Sequence, residues 1–393
     1  MPHTTNYRLL VFIAFMQGFV FYGPVATIYR RAYGLDLKGL FLIESISWVV
    51  IILLELPWGR FADRFGYRTT LLLGNLVFLV SKVIFSLATS FAGFLAERLA
   101  LSIALAALSG CSEALIYRSV GLQKADVAFG RWHAASVAGL LVASLCWPLL
   151  RPLSLRVSAY ATIVPYALAF VCSLFLIDVD EPSMPSVQTS GQTVLALGRG
   201  LGSALLALRR NRALIVFLVV SAMVNEAAQV ATVFLAPLQY ERSGVPLQSF
   251  GVLFALTQGA GMMAAGSAPL ARFLGRDRSL RMLVLMGALS LAALALTQSA
   301  WLSVLALVVM AASAAMFRPL SALRQNESII GVERATSLSI YAMVMELVAA
   351  VVNVGIGRVA SLSLGAGFGI LSVLLLCSLL APGRVFKGKE DYR

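Results

Sequence analysis

The chain has 393 residues, of which 60% are hydrophobic and only 12% are charged, and its mean hydropathy is +0.88. Ordinary soluble domains are close to half apolar, so this composition excludes a soluble globular protein and indicates a membrane protein. The formal net charge of +13 would suit a nucleic-acid-binding protein only if the basic residues formed one patch. They are instead spread over the connections between apolar runs, and no nucleic-acid partner is predicted.

Twelve continuous apolar runs follow one another along the chain, each close to the roughly 20 residues that a membrane-spanning α-helix needs. They are too long and too uniformly apolar for the alternating strands of a membrane β-barrel. The first run follows MPHTTNYR without a small-residue cleavage site, so it is predicted to be retained and not removed as a signal peptide. The predicted spans are 8–29, 38–58, 69–89, 91–117, 127–150, 156–177, 213–239, 247–270, 280–298, 301–323, 335–357 and 362–381.

The basic residues are distributed unequally between the two sides of the membrane. Of the 31 lysines and arginines, 22 fall on the side that holds both termini and 7 on the other side, and Lys82 and Arg98 lie within spans. Arg318 is counted in the connection after the tenth span. By the positive-inside rule both termini are cytoplasmic, which requires an even number of spans. The four cysteines lie within spans and form no CxxC pair, so no disulfide framework, metal site or cofactor is predicted.

One long connection divides the chain after its sixth span. It begins with DVDEPSMP, passes through Ser, Thr and Gln, and ends in a basic cluster, which is typical of a linker on the inner membrane surface. We therefore predict an N-terminal six-helix half at 1–178 and a cytoplasmic linker at 179–212. A C-terminal six-helix half with a short cytoplasmic tail is predicted at 213–393.

The two halves also resemble each other weakly in sequence. AYGLDLKGLF aligns with RSGVPLQSFG, so that Gly34 falls over Gly244, and Gly66 falls over Gly275 further on. A repeat of this kind is expected of two parallel six-helix halves, an arrangement associated with transporters. At nearly the same offset, Gln17 of the first span falls on Glu226 of the seventh.

The stretch GRFADRFGYR, residues 59–68, concentrates charge between the second and third spans. Gly59 is predicted to let the end of the second helix approach the third closely, and Gly66 to permit a tight turn. The arginines hold this connection in the cytoplasm. Asp63 is expected to pair with the neighbouring arginines or to face the positive N-terminus of a nearby helix.

The order Gly-x-x-x-Asp-Arg-x-Gly resembles the signature between the second and third helices of the major facilitator superfamily, with Tyr67 in the place of a usual arginine. ELPWG, SGCSEALIYRS and RATSLS resemble a bacterial branch of small-molecule exporters within it, although Arg118 stands where that branch usually has aspartate. The resemblance implies an all-α membrane protein of twelve transmembrane helices in two pseudo-symmetric six-helix halves. It also implies a conformational clasp in which Asp63 holds and releases the eleventh helix near Arg334. The other residues of this motif are Gly59, Arg64, Gly66 and Arg68.

Ionisable side chains within the spans mark a candidate transport pathway, because a charge at mid-membrane costs at least a few kcal/mol. Those predicted within spans are Glu44, Lys82, Glu97, Arg98, Glu113, Glu226 and Glu346. At 100° per residue, Glu346 and Asn353 share one face of the eleventh helix. On the seventh helix, Glu226 borders a polar stripe with Asn225 and Gln229. The family's helix arrangement implies that the central cavity is lined by Gln17, Arg98, Glu113, Asn225, Glu226, Gln229, Glu346 and Asn353.

Three of these charges also have a structural explanation. Lys82 is predicted to be a structural lysine that snorkels or pairs with a glutamate, because the third helix is usually peripheral. Glu97 and Arg98 lie toward the outer end of the fourth helix, where they are either interfacial anchors or part of the pathway. Glu226 and Glu346 lie near mid-span and are preferred as functional acids, with Glu226 expected to exchange a proton.

No GxxxxGK[ST], HExxH or GxSxG motif occurs in the chain, so neither an ATP-driven pump nor an enzyme is predicted. We predict a proton-coupled secondary transporter in the lipid bilayer of the bacterial inner membrane, acting as a monomer. The resemblance to exporters implies that it exports a small amphiphilic or cationic compound, and the excess of glutamates over basic residues within the spans favours a cationic or proton-exchanging cavity. The alternatives are a transporter that takes up a small metabolite and a non-transporting sensor or scaffold with the same fold.

Overall fold

The computed structural model describes residues 2–121, 124–177, 211–329, 334–382 and 385–386, which contain helices and no strand. The predicted linker at 179–212 lies outside these residues except for its last two positions. We number the helices α1 to α12 in chain order. Their bounds are Thr5–Ala32, Leu37–Phe65, Tyr67–Leu87, Phe91–Val120, Ala125–Leu145, Leu155–Leu174, Arg212–Arg242, Leu247–Leu274, Arg276–Leu296, Ala300–Glu327, Arg334–Leu362 and Leu364–Leu379.

Ten of the described helices are long and apolar enough to cross a membrane. The other two are α5, whose first turns carry Asp126 and Arg131, and α12, which has 16 residues. Both coincide with predicted spans, the fifth and the twelfth. The prediction of an all-α membrane protein with twelve transmembrane helices is confirmed.

Helix starts follow from polar side chains that satisfy the first backbone N–H groups. Asp36 caps α2, where its Oδ1 atom accepts a hydrogen bond of 2.8 Å from the Gly39 amide. The residues that cap α4, α6, α7 and α12 in the same way are Ser90, Ser154, Asn211 and Ser363. These caps fix where each apolar run enters its helix.

The turns that separate helices repeat between the two halves. Gly66 joins α2 to α3 with φ 86° and ψ 158°, and Gly275 joins α8 to α9 with φ 81° and ψ 150°. Gly34 and Gly244, in the turns before α2 and α8, have φ values of 93° and 70°. Side chains other than glycine are strained in this region, so the matched glycines are required by the matched turns. The two pseudo-symmetric halves are therefore confirmed.

Several of the described helices are interrupted, and two of these interruptions lie beside candidate site residues. Gly110, with φ 72°, breaks α4 and starts a second segment, Cys111–Val120, which the sequence predicts as part of one continuous helix. In α7, the π-helical segment Val230–Leu235 follows directly after Gln229. Such π-helical turns occur frequently at functional sites.

The chain divides into two compact units. The first comprises Met1–Asp180 with Tyr240–Gly259, and the second comprises Glu181–Gln239 with Ala260–Arg393. Each unit thus has its own helix packing, and each holds its own set of buried polar residues.

In the first unit, α1 and α5 approach each other at two glycines. A Cβ atom on Gly18 would collide with the Ser136 carbonyl oxygen, and one on Gly139 would collide with the Phe15 carbonyl oxygen. Small residues allow membrane helices to come this close, because packing and not the hydrophobic effect drives their association in lipid.

In the second unit, α9 packs between α10 and α12. Gly287 of α9 faces Met310 of α10. The Ser372 hydroxyl of α12 donates to the Ala288 carbonyl of α9 at 2.7 Å. The helices α7, α10 and α11 of this unit also contact one another, and they carry the polar residues described next.

Candidate transport site

A buried pair of polar residues joins α7 to α11 in the second unit. Asn353 donates through Nδ2 to the Glu226 carboxylate at 2.7 Å, and the two residues are 0% and 3% exposed. The Oδ1 atom of Asn353 is also buried and accepts no hydrogen bond among the described residues. An amide can donate to a carboxylate and accept from a carboxylic acid, so Asn353 can partner Glu226 in both protonation states.

The polar stripe of α7 continues beside this pair. The Asn225 Oδ1 atom accepts a hydrogen bond of 3.1 Å from Arg318 Nε of α10. Gln229 lies one turn further along the same face of α7 and is half-buried. The hydroxyls of Ser221 and Ser321, 2.8 Å apart, join the same two helices nearer the start of α7.

Arg318 is a site residue that the sequence analysis misses. Assigning it to the connection after α10 is wrong, since α10 continues for more than two turns to Glu327. The available signal was its position inside the predicted tenth span, 301–323. Glu346, the other preferred acid, lies seven residues before Asn353 on α11 and is half-buried.

The first unit contains a buried cluster of charges. Arg98 of α4 forms an ion pair with Glu44 of α2. Arg30, at the end of α1, lies 3.9 Å from the Glu44 carboxylate and 3.8 Å from the Glu97 carboxylate. Both glutamates are 1% exposed, so the interpretation of Glu97 as an interfacial anchor is wrong. The sequence analysis misses Arg30 because its predicted first span ends one residue earlier.

Lys82 is buried beside this cluster in a cage of aromatic rings. Its Nζ atom donates to the Tyr22 hydroxyl at 3.2 Å and lies 4.9 Å and 5.1 Å from the ring centroids of Phe78 and Tyr166. Aromatic faces attract cations, most strongly where water is excluded. Lys82 is 4% exposed, so the expected snorkelling is wrong, and it forms no ion pair with a glutamate among the described residues. The Tyr22 hydroxyl and the aromatic rings hold its ammonium group instead.

Two predicted cavity residues have other surroundings. The Gln17 side chain donates to Asn75 of α3 at 2.6 Å, and the Gln17 carbonyl accepts from the Tyr166 hydroxyl of α6 at 2.7 Å. Gln17 thus joins three helices of the first unit. Glu113 is exposed in the first turn of Cys111–Val120, where the helix dipole favours a negative charge.

The motif between α2 and α3 forms the predicted turn, but it does not form the predicted close approach of the two helices. Gly66 adopts the expected turn, but a Cβ atom on Gly59 would meet nothing within 4 Å, so the prediction for Gly59 is wrong. Asp63 is exposed and forms no ion pair among the described residues. The expected pairing of Asp63 with the neighbouring arginines is therefore not formed among the described residues.

The arginines of this motif serve different contacts. Arg68 donates from Nε to the Leu176 carbonyl at 2.6 Å and from Nη2 to the Leu174 carbonyl at 3.3 Å, where α6 ends. A cation is favourable at a helix C-terminus. The Arg64 guanidinium lies 5.2 Å from the ring of the adjacent Phe65. Arg334 begins α11, and its side chain lies outside the described part of the chain.

The two departures from the family signature contact each other. The Arg118 guanidinium lies 4.5 Å from the centroid of the Tyr67 ring. The loop signature that the sequence resembles usually has an arginine at position 67, and the separate exporter-like stretch usually has an aspartate at position 118. A cation–π contact thus stands where those two residues would carry opposite charges.

Comparison with known proteins identifies the family. The model of the Major Facilitator Superfamily matches residues 9–353. The chain belongs to this superfamily. No curated protein sequence matches the chain.

Solved transporters share the fold of this superfamily member. The structure of the nucleoside transporter NupG in a mutant form has a TM-score of 0.80 and 16% identity, over 97% of this chain and 100% of that one. A mutant of the peptide transporter POT has a TM-score of 0.75 and 16% identity, over 97% and 95%. A POT family transporter in complex with 5-aminolevulinic acid has a TM-score of 0.73 and 15% identity, over 95% and 94%. Family and fold indicate a membrane transporter of small molecules and not an enzyme.

Proposed function

We propose that this superfamily member is a proton-coupled secondary transporter that exports a small amphiphilic compound across the bacterial inner membrane. The observation that carries the proposal is the buried pair of Glu226 and Asn353. A buried carboxyl is retained in a membrane helix at a cost, and such residues mark ion and substrate pathways. Because Asn353 can bond both states of Glu226, a proton can enter and leave this site without loss of its partner.

Three exporter-like stretches support the direction of transport, and the distribution of basic residues supports the orientation. The ELPWG, SGCSEALIYRS and RATSLS stretches resemble exporters, and the basic residues favour cytoplasmic termini. Alternation between inward and outward access would use the Asp63 motif. A preference for cations has less support than the sequence suggests, because Glu44 and Glu97 both face arginines.

Uptake of a metabolite is the second candidate. It is supported by the similar solved structures, which are a nucleoside transporter, a peptide transporter and a POT family transporter in complex with 5-aminolevulinic acid. The two directions are distinguished by comparing right-side-out with inverted membrane vesicles under the same imposed pH gradient.

The test is Glu226→Gln, which mimics the protonated acid and adds no bulk. Wild type and variant are assayed in inverted vesicles for accumulation of a panel of small amphiphilic compounds, with and without a protonophore. We expect the variant to lose accumulation driven by the pH gradient and to keep exchange between equal concentrations on the two sides. The matched control is Glu241→Gln, at an exposed glutamate that pairs with Arg31.

Unchanged gradient-driven transport and pH dependence in Glu226→Gln would remove Glu226 from coupling and make Glu346 the next candidate. If wild-type vesicles accumulate no compound of the panel in either orientation, the result would favour a non-transporting sensor or scaffold. Exchange that is lost together with accumulation would show that Glu226 serves binding or folding and not coupling alone.

A further inference from the structure

Arg318 is exposed although it lies in the body of a membrane-spanning helix. Eighteen residues of α10 precede it and nine residues, about two and a half turns, follow it, so it lies at neither end. An arginine that faces hydrocarbon is costly, and intramembrane arginines therefore face water-filled spaces or partners. Arg318 forms no ion pair among the described residues, and its hydrogen bond to Asn225 uses Nε alone.

Several hydrogen-bond donors of α7 and α10 are unpaired among the described residues, either at this guanidinium or one helical turn from its partner Asn225. The two Nη groups of Arg318 and the Nδ2 group of Asn225 have no hydrogen-bond partner among the described residues. The same is true of the Gln229 amide, one turn along the same face of α7. Because the bond to Asn225 fixes one edge of the guanidinium, the remaining N–H groups are held in a defined direction.

We propose that Arg318, with Asn225 and Gln229, binds a carboxylate of the transported compound. The inference rests on the proposed function and specifies the charge of its substrate. A guanidinium presents parallel N–H groups that match the two oxygens of a carboxylate, and such charge-assisted pairs are strong and directional. The cluster of Arg318, Asn225 and Gln229 is termed the carboxylate site below.

The charge of the site favours a monoanion over a phosphate dianion. The next basic residue of α10, Arg324, is 7% exposed and donates to Ser328 at 2.6 Å, so Arg318 is the exposed cation of this helix segment. A dianion bound to Arg318 would leave one negative charge unbalanced. That charge would lie near Glu226, which follows Asn225 in α7. A single carboxylate balances the single guanidinium.

The test is a binding measurement on the purified full chain in detergent. The probes share one apolar frame and differ in charge: 3-phenylpropionate, its neutral amide 3-phenylpropanamide, and the cation 2-phenylethylamine, each at the same millimolar concentrations. The readout is the thermal unfolding midpoint, which rises with ligand binding to the native state. We expect the carboxylate to raise the midpoint of the wild type more than the amide or the amine does.

In Arg318→Gln, binding of 3-phenylpropionate should weaken at least about tenfold, as expected for loss of a charge-assisted bond. Arg318→Lys keeps the charge without the fork and should bind with intermediate affinity. The control is Arg358→Gln, at an exposed arginine near the end of α11. If Arg318→Gln does not fold, Arg318→Lys and Asn225→Ala provide the same comparison.

Three results would overturn the carboxylate site. These are no rise with 3-phenylpropionate in the wild type, an equal rise in Arg318→Gln, or an equal rise with the neutral amide. The binding assay uses no membrane and no pH gradient. Loss of proton-driven transport with intact carboxylate binding would therefore contradict the proposed function alone, and proton-driven transport without carboxylate selectivity would contradict this inference alone.

Discussion

Glu44 and Glu241 each face an arginine in the first unit, but the two ion pairs differ in burial. Glu44 is 1% exposed and contacts Arg98 and Arg30, whereas the side chains of Glu241 and Arg31 are 47% and 51% exposed. Breaking a buried ion pair leaves an uncompensated charge in a medium that solvates it poorly, while an exposed pair is replaced by water. The same chemical change should therefore have very different effects at the two positions.

We expect Glu44→Gln to destabilise the protein by about 3–5 kcal/mol and Glu241→Gln by about 0–1 kcal/mol. The measurement is the thermal unfolding midpoint of each variant in the same detergent. The two substitutions are chemically identical, so each serves as the control for the other. Equal midpoints would show that the buried cluster does not stabilise the fold.

Arg318 shows why residue-level prediction from a sequence is incomplete. The cost of an intramembrane charge correctly directs attention to Glu226 and Glu346, because both lie deep in their spans. It fails for Arg30, which lies one residue beyond its predicted span, because helix ends are uncertain by one or two residues. It fails for Arg318 because this residue is counted with the following connection although it lies inside the predicted tenth span. The resulting list of charges omits the arginine that contacts Asn225 and the one that contacts Glu97.

At the scale of elements, the contact of Tyr67 and Arg118 links the start of α3 to the second segment of α4. The sequence gives no reason for either departure, because positions 67 and 118 are far apart in the chain and their contact is visible only in the structure. Their contact suggests that each compensates for the other. A substitution that restores only one of the usual residues should then be worse than one that restores both.

We expect Arg118→Asp and Tyr67→Arg each to lower the transport rate, because the first removes the cation–π contact and the second places two arginines together. The double variant creates an arginine–aspartate pair with the usual arrangement and should recover much of the rate. The measurement is a double-mutant cycle of transport rates, with unfolding midpoints as a check on folding. Additive effects, or a faster Arg118→Asp single variant, would show that the two departures are independent.

The helices themselves were largely predictable, because long apolar runs, polar caps and turn glycines are local signals. The interruptions within helices are harder to predict. Gly110 breaks α4 and a π-helical segment follows Gln229, although both lie inside continuous apolar runs. Gly59 was misinterpreted for a related reason. A glycine in a motif indicates either a close contact or a turn, and the sequence does not show which neighbours surround it.

At the scale of the whole molecule, the composition, the basic residues and the internal repeat predict a membrane protein with two six-helix halves, and the resemblance to the superfamily adds transport. The site was predicted only as separate stripes. Glu226 and Asn353 were each placed on a polar helix face, but their hydrogen bond joins residues 127 positions apart. Helical periodicity gives the position of a side chain around the axis of its own helix, but it does not identify which other helix that side chain faces.

Transport also requires the whole molecule to alternate between states, and the clasp at Asp63 is our proposal for what biases them. Asp63 is exposed and forms no ion pair among the described residues, so Asp63→Asn should change the unfolding midpoint little. If Asp63 stabilises one transport state by about 1–3 kcal/mol, its loss should lower the transport rate by about 5–150-fold. The measurement compares transport rates in vesicles with unfolding midpoints, and the control is Asp126→Asn, an exposed aspartate in the first turn of α5. A normal transport rate in Asp63→Asn would remove the clasp from the mechanism, whereas an equal loss in the control would point to a general effect of charge at the inner surface.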